Sequence, residues 1–287
     1  MPASEQTTTK IESLSVLLDP TGKMLLRELD KGIIQNIQTE PISSRLKNME
    51  LSGNPEAGTV QVKRFANATS ENYGTARAAG KGQAVKGKPV TVPIDIDREF
   101  VEEVENKDIT LLGVEGLLSM RSANHQLMMA NELDEAFFKA CADEGTKFTP
   151  KGEITAPKDI IEQAALTLQT LKTEYVNGVP RRMMSVTLSP EWYSKMRDYL
   201  DTVKNTNITT VDEEFQMYHG LRVYSSDNMP SDVNFVLQVD GSVAQPVIAR
   251  PYSAERIPLS EAFGVSLFWY YGVKAITPEL ILVGKNS

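Results

Sequence analysis

The chain holds a single cysteine, Cys141, in 287 residues. That excludes an intrachain disulfide framework and a cysteine-built zinc site. Its place on an apolar helical stripe marks it as a small buried residue. Histidine is almost as scarce. His125 and His219 lie far apart, and neither has Cys, His or carboxylate neighbours at ligand spacing, so both read as core or surface residues and not as catalysts. There is no Gly-x-Ser-x-Gly elbow and no Gly-x-Gly-x-x-Gly dinucleotide motif. The longest largely apolar run, Val265 to Tyr271, falls far short of a membrane span. Residues 1–15 are polar and Thr-rich, without the apolar centre of a secretory signal. The expectation is a protein of a reducing, soluble compartment, in which the sequons at Asn67 and Asn207 carry no weight. Excess positive charge is also lacking. A formal net charge of −8 argues against gripping nucleic acid, which needs concentrated Lys and Arg.

What is present is ordinary soluble composition, 41% hydrophobic and 24% charged, in a chain long enough for one large or two modest domains. The strongest pattern lies at 90–144. Val90, Val92, Ile94 and Ile96 alternate with polar residues as on a half-buried strand. The period then changes. Leu117, Met120, Ala123, Leu127, Ala130, Leu133, Phe137 and Ala140 recur at steps of three and four, which predicts one apolar stripe on a helix from about Gly113 to Glu144, capped by Gly145. Such a helix is roughly 48 Å long at 1.5 Å per residue. It has no heptads with flanking charges, and it suits a spine lying across a sheet.

Before it, residues 1–9 have no apolar anchor and read as disordered in isolation. Asp19 and Pro20 form an N-cap and first-turn pair for a helix with Leu26, Leu29, Ile33 and Ile37 on its stripe. Everything to about Asn54 is an arm with too little apolar content for a core of its own. Residues 58–92 then suggest an outgoing strand at Val60–Phe65 and a returning one at Val85–Val92. Between them Asn72–Gly87 is rich in Gly, Ala and Lys. The stretch carries Lys63, Arg64, Arg77, Lys81, Lys86 and Lys88 against Glu71 alone. A long two-stranded excursion with a basic, core-free tip does not stabilise itself in water, so it calls for cover from another molecule, such as an acidic neighbouring copy.

After the spine, Thr146–Thr155 is a linker, and Ile161, Ala164, Leu168, Leu171 and Tyr175 predict a second amphipathic helix. Met184, Val186 and Leu188 alternate as a strand. Ser189 and Pro190 open a third helix bearing Tyr193, Met196, Leu200 and Val203, and Asn205–Asp212 reads as a loop. Short strands follow at 221–224, 235–239 and 243–249, with Asp240-Gly241 as a hairpin turn. Residues 150–249 thus read as a mixed lobe. The tail is strand-rich at 263–271, 273–276 and 280–283, with Gly272 placed at a bulge. It is expected to return to the 90–108 strand and the spine, leaving the lobe inserted.

Motifs that carry chemistry are incomplete. Gly82-Gln-Ala-Val-Lys-Gly87-Lys88 matches most of a phosphate-binding P-loop, but Pro89 stands where Ser or Thr must hold magnesium, and a strand follows where a helix is needed. Asp95, Asp97 and Glu99, with Glu102, Glu103 and Glu105 beyond, suggest an acid/base or metal cluster, yet alternate carboxylates on one strand face are more simply a solvated acidic face. A role for that face is attraction to the basic loop of a neighbour.

The order of parts resembles one family. Val90-Thr-Val-Pro-Ile-Asp-Ile-Asp-Arg-Glu-Phe100, the helix segment Asn131-Glu-Leu-Asp-Glu-Ala-Phe137 and the ending Phe263 to Val283 are similar to the major capsid protein of tailed bacteriophages, the Hong Kong 97 phage fold. The resemblance covers nearly the whole chain and rests on order more than on any one motif. It implies an α+β fold with an N-terminal arm (1–50), an extended E-loop (51–92), a peripheral domain with the spine helix (93–149) joined by return strands (250–287), and an axial domain (150–249). It further implies homo-pentamers and homo-hexamers closing an icosahedral virion shell around double-stranded DNA, assembled in a host bacterial cytoplasm. The family's E-loop lies over the adjacent subunit. Subunit-interface candidates are therefore Lys63, Arg64, Arg77, Lys81, Lys86 and Lys88 on the basic loop, and Asp95, Asp97, Glu99, Glu102 and Glu103 on the acidic face. No catalytic residue, cofactor, metal or membrane partner is implied. Lys81, Lys86 and Lys88 match a donor for the cross-link some members make, but no partner Asn or catalytic Glu is matched. The short arm implies a separate scaffolding protein beside the portal. Three alternatives stand: an encapsulin-type nanocompartment shell, a hydrolase using Asp95, Asp97 and Glu99, and a nucleic-acid binder using the basic loop, which lacks regular aromatic interleaving.

Overall fold

The computed structural model describes residues 14–109, 113–202 and 216–286. The expectations for residues 1–9, Val203, Asn207 and the 205–212 loop lie outside them. In chain order the first elements are helices α1 (Pro20–Thr39) and α2 (Ile42–Leu46), strand β1 (Thr59–Phe65), the short α3 (Thr75–Ala79), and strands β2 (Gly87–Pro93) and β3 (Ile96–Val104). The long helix α4 (Gly113–Glu144) is followed by β4 (Thr146–Lys147), α5 (Pro157–Thr170), β5 (Met184–Leu188) and α6 (Pro190–Thr202). Strands β6 (Met217–Tyr218), β7 (Leu221–Ser225), β8 (Val233–Val239), β9 (Val243–Ala244) and β10 (Val247–Ala249) come next. The chain ends in β11 (Ser253–Arg256), β12 (Phe263–Tyr271), β13 (Lys274–Ala275) and β14 (Ile281–Lys285).

These elements form two compact units. The first comprises residues up to Ser44, 95–133 and 247–271. In its four-stranded antiparallel sheet β12 is central, with β3 along one edge and β10 and β11 along the other. Phe263, Val265, Leu267, Trp269 and Tyr271 of β12 are buried and the residues between them are half-buried, the two-residue period of a sheet covered better on one face. Leu26, Ile33 and Ile37 of α1 and Leu14 and Leu17 before it are buried in their turn. The arm thus takes the cover that its own composition cannot supply.

The second unit comprises residues 45–94, 134–246 and 272–287. Its six-stranded sheet runs β4-β14-β8-β5-β7-β6. All five residues of β5 are buried, because a central strand is covered on both faces. Ile161, Ala164 and Leu168 of α5 and Met196 of α6 share one core with Met184, Leu188, Phe235 and Leu237. The hairpin β1–β2 pairs antiparallel from Thr59 opposite Pro93 to Phe65 opposite Gly87. Its root buries Val60, Val62 and Val92 against Ala244 and Ile276.

Several expectations are corrected. The alternation at 90–97 does not form one strand: it breaks at Ile94–Asp95, where β2 leaves β1 and β3 joins β12. Val85 lies outside the returning strand and is exposed. Helix α4 has the expected ends, but in its first half the buried face is Val114, Leu118, Ser122 and His125, while Met120 and Leu127 are more than half exposed. Apolar side chains occupy both flanks there, so periodicity alone does not select a face. Tyr175 falls beyond the end of α5. Asp240-Gly241 turns the chain without making a hairpin, since β8 pairs β14 and β5 while β9 pairs β13. The tail divides: β12 returns to β3, but β14 pairs β8. Gly272 serves close approach and not a bulge, because a Cβ there would run into the Pro93 carbonyl.

Candidate subunit interface

Strand parity sorts the acidic residues. On β3, Asp97, Glu99, Val101 and Glu103 are exposed on the outer face, opposite Tyr270, Phe268, Ser266 and Gly264 of β12. Asp95 is exposed in the connection before β3. These four carboxylates make a solvated ridge with Val101, 58% exposed, among them.

Glu102 does not belong to that ridge. It lies on the inner face with Phe100 and Val104, where Arg121 of α4 donates through Nε to its Oε2 at 2.8 Å and through Nη2 to its Oε1. His125, one helical turn on, is 2% exposed and stacks face to face on Phe100 with centroids 4.6 Å apart. Its Nδ1 hydrogen-bonds the Tyr252 hydroxyl at 2.8 Å, and its Nε2 lies 3.3 Å from Glu102 Oε1. The Arg121 hydrogen bonds hold the Glu102 carboxyl below the usual carboxylate range, against burial, which acts the other way. Burial pushes the Tyr252 hydroxyl up. A second pair repeats the theme: Arg98 and the Tyr271 hydroxyl both donate to Glu132 Oε1, and burial with the Glu132 charge pushes Tyr271 up to about 12. Both networks hold helix to sheet.

The basic residues also divide. Lys63, Arg77, Lys81, Lys86 and Lys88 are exposed; Lys86 pairs loosely with Glu174 at 3.7 Å. Arg64 is turned into its own unit, with its side chain 14% exposed, paired to Glu279 and lying over the Tyr175 ring at 4.5 Å. The tip between the strands is exposed from Asn67 to Pro89, with Tyr73 and Val85 almost fully so. It is ordered locally by Gln83, whose amide donates to the Thr69 carbonyl at 2.7 Å and accepts from the Thr69 N–H at 3.2 Å. The P-loop-like segment 82–88 runs through this tip into β2, with no helix N-terminus after it.

Elsewhere, His219 stands in a two-residue turn before β7, where it and Gly220 both have positive φ, as a type I′ turn requires. Its Nδ1 lies 3.3 Å from Glu162, which also takes the Arg181 guanidinium. Cys141 is fully buried and its thiol is pushed up by desolvation. Among the described residues no group of three or more His, Cys, Asp or Glu is placed to hold a metal ion, and no helix is long and apolar enough to cross a membrane. The inward turn of Arg64 follows from its parity with Val60 and Val62, as that of Glu102 does from its parity with Phe100 and Val104; the distant partners of Arg64 have no sequence signal.

No family model and no curated protein matches the sequence. Solved structures do match. A chain from Mycobacterium phage Che8 aligns with a TM-score of 0.60 at 20% identity, covering 99% of this chain and 94% of that one. The capsid structure of cyanophage P-SCSP1u aligns with a TM-score of 0.62 at 12% identity over 86% and 88%. The virus-like particle from Pyrococcus furiosus aligns with a TM-score of 0.53 at 9% identity over 90% and 98%. With its mixed helices and sheets, its long helix and its alignment over most of the length of these chains, the protein has the fold of tailed-bacteriophage capsid proteins, the Hong Kong 97 type.

Proposed function

We propose that the chain is the major capsid protein of a tailed bacteriophage, a structural protein that assembles as pentamers and hexamers into an icosahedral virion shell around double-stranded DNA. The observation that carries this reading is the alignment of nearly the whole chain with nearly the whole length of phage chains. In this assignment residues 1–50 are the N-terminal arm and 51–92 the E-loop. Residues 93–149 with 250–287 form the peripheral domain and 150–249 the axial domain, with the last strand paired into the axial sheet. The exposed Lys63, Arg77, Lys81, Lys86 and Lys88 of the loop and the Asp95, Asp97, Glu99 and Glu103 ridge have opposite charge, which suits contact between copies. An acidic chain also suits a container that encloses DNA without gripping it. Scaffold and portal proteins are the expected partners.

Negative-stain microscopy of the expressed protein, alone and with the neighbouring phage-type gene products, tests this. Closed angular shells or rings of five and six support it; a monodisperse monomer under every condition overturns it. The likeness to the Pyrococcus particle favours a second reading, a nanocompartment shell. Shells that package protein cargo and never DNA would decide for that alternative.

A further inference from the structure

The hairpin β1–β2 is held in its unit at two levels of different strength. At the root, Val60, Val62 and Val92 are buried and Ile94 donates its N–H to the Gly58 carbonyl at 2.8 Å. Two residues beyond Val62 the hairpin meets Arg64. Between residues 63 and 89 every residue is exposed except Arg64 and Ala66. The Arg64 guanidinium joins the hairpin to two segments distant in sequence: at 276–279 it pairs with Glu279 in the short 3-10 turn before β14 and donates to the Ile276 carbonyl at 3.4 Å, and after α5 it lies over the Tyr175 ring at 4.5 Å. A planar guanidinium can satisfy a carboxylate at its edge and a ring on its face at once, which a lysine ammonium cannot. Beyond it the attachment weakens. Asn67 donates one backbone bond to the Glu174 carbonyl at 3.1 Å, and the Lys86–Glu174 pair is wet on both sides, a kind of contact that contributes little. The hairpin and the 173–177 turn then diverge around an open cleft of about 940 Å³.

We propose that Arg64 is a positioning residue: it clamps the hairpin to Glu279 and Tyr175, sets the direction in which the basic tip leaves the subunit, and through that direction governs whether copies assemble correctly. A hairpin with an exposed, core-free tip swings about its last firm contact, and Arg64 is that contact. With the clamp in place the tip is a lever of fixed direction. Without it the hinge retreats to the Val60–Val92 root and the tip samples many directions, so ordering it at an interface costs more entropy. The assembly consequence rests on the shell reading; the clamp itself does not.

The test uses the full chain with Arg64→Ala, Arg64→Lys and the exchanged pair Arg64→Glu with Glu279→Arg. Hydrogen exchange is measured on the unassembled protein, and shells are imaged after assembly. Arg64→Ala is expected to speed exchange of the amides in 61–65 and 87–91 by roughly tenfold or more, with the β5 and β8 amides unchanged, and to give malformed or polydisperse shells. Arg64→Lys should recover part of the protection, and the exchanged pair more of it. Unchanged exchange in Arg64→Ala overturns the clamp. Faster exchange with shells as uniform as those of the unmodified chain overturns its role in assembly. An unmodified chain that never forms shells refutes the shell reading instead, and the exchange result then judges the clamp alone.

Discussion

Replacing Glu102 by Gln tests how the first unit joins helix to sheet. The side chain keeps its size but exchanges an acceptor oxygen for a donor that faces the Arg121 guanidinium. Hydrogen bonds to a charged group are worth about 1.5–3 kcal/mol each way of counting, but Arg121 is 37% exposed on its side chain and recovers water when released, which brings such a pair toward about 1 kcal/mol or less. His125, beside the same oxygen and 2% exposed, has no such recourse. The expected cost is about 1–2 kcal/mol, a loss of roughly 0.5–1 M in the urea midpoint. The assay is urea unfolding followed by Trp269, which is fully buried and stacks on Tyr271 at 5.1 Å, in a Trp192→Phe background so that fluorescence reports this unit alone. The pH dependence supplies the sign. Arg121 holds the folded pKa of Glu102 below its unfolded value, so the stabilisation is complete above about pH 4.3 and is lost as the pH falls through the folded value. Glu102→Gln and the unmodified chain should therefore differ at pH 7 and converge in acid. Equal midpoints at pH 7, or a gap that persists undiminished at about pH 3, would refute the reasoning.

Three further outcomes follow from the same structure. Leu267→Ala removes a fully buried side chain at the centre of β12 and should cost about 2–5 kcal/mol, read as a lowered urea midpoint or as insoluble expression. Cys141, fully buried with its thiol pushed up, should react with a thiol reagent only at the rate of unfolding; rapid labelling of the native chain would contradict its burial. Reversing Asp97, Glu99 and Glu103 to Lys on the solvated face should leave the unassembled chain's stability within about 0.5 kcal/mol yet slow assembly at low salt. Unchanged light-scattering kinetics would remove that ridge from the proposed contact.

The amino-acid sequence alone determined the elements whose causes are local. The ends of α4 follow from a change of hydrophobic period and a terminal glycine. The strands of the basic hairpin follow from flanking alternation around a tip with hardly a large apolar side chain. The order of parts sufficed for the resemblance that the phage structures then supported. What stayed illegible needs a partner to exist. Val114, Leu118, Ser122 and His125 are buried in preference to Met120 and Leu127, and His125 finds Phe100 and Glu102 on the opposing strand; helix periodicity contains no knowledge of what it will meet. The alternation through Ile94 and Ile96 looks continuous, yet its two halves pair with strands about 30 and 170 residues away in sequence. Parity tells Glu102 from Glu103, and likewise Arg64, in step with Val60 and Val62, from Lys63, but the partners of the Arg64 clamp, Tyr175, Ile276 and Glu279, lie too far away in sequence to be read. Hydrophobic period and turn chemistry act over a few residues and are written in the sequence; the choice of buried face, strand partner and ion-pair mate is a long-range competition that only the folded chain resolves.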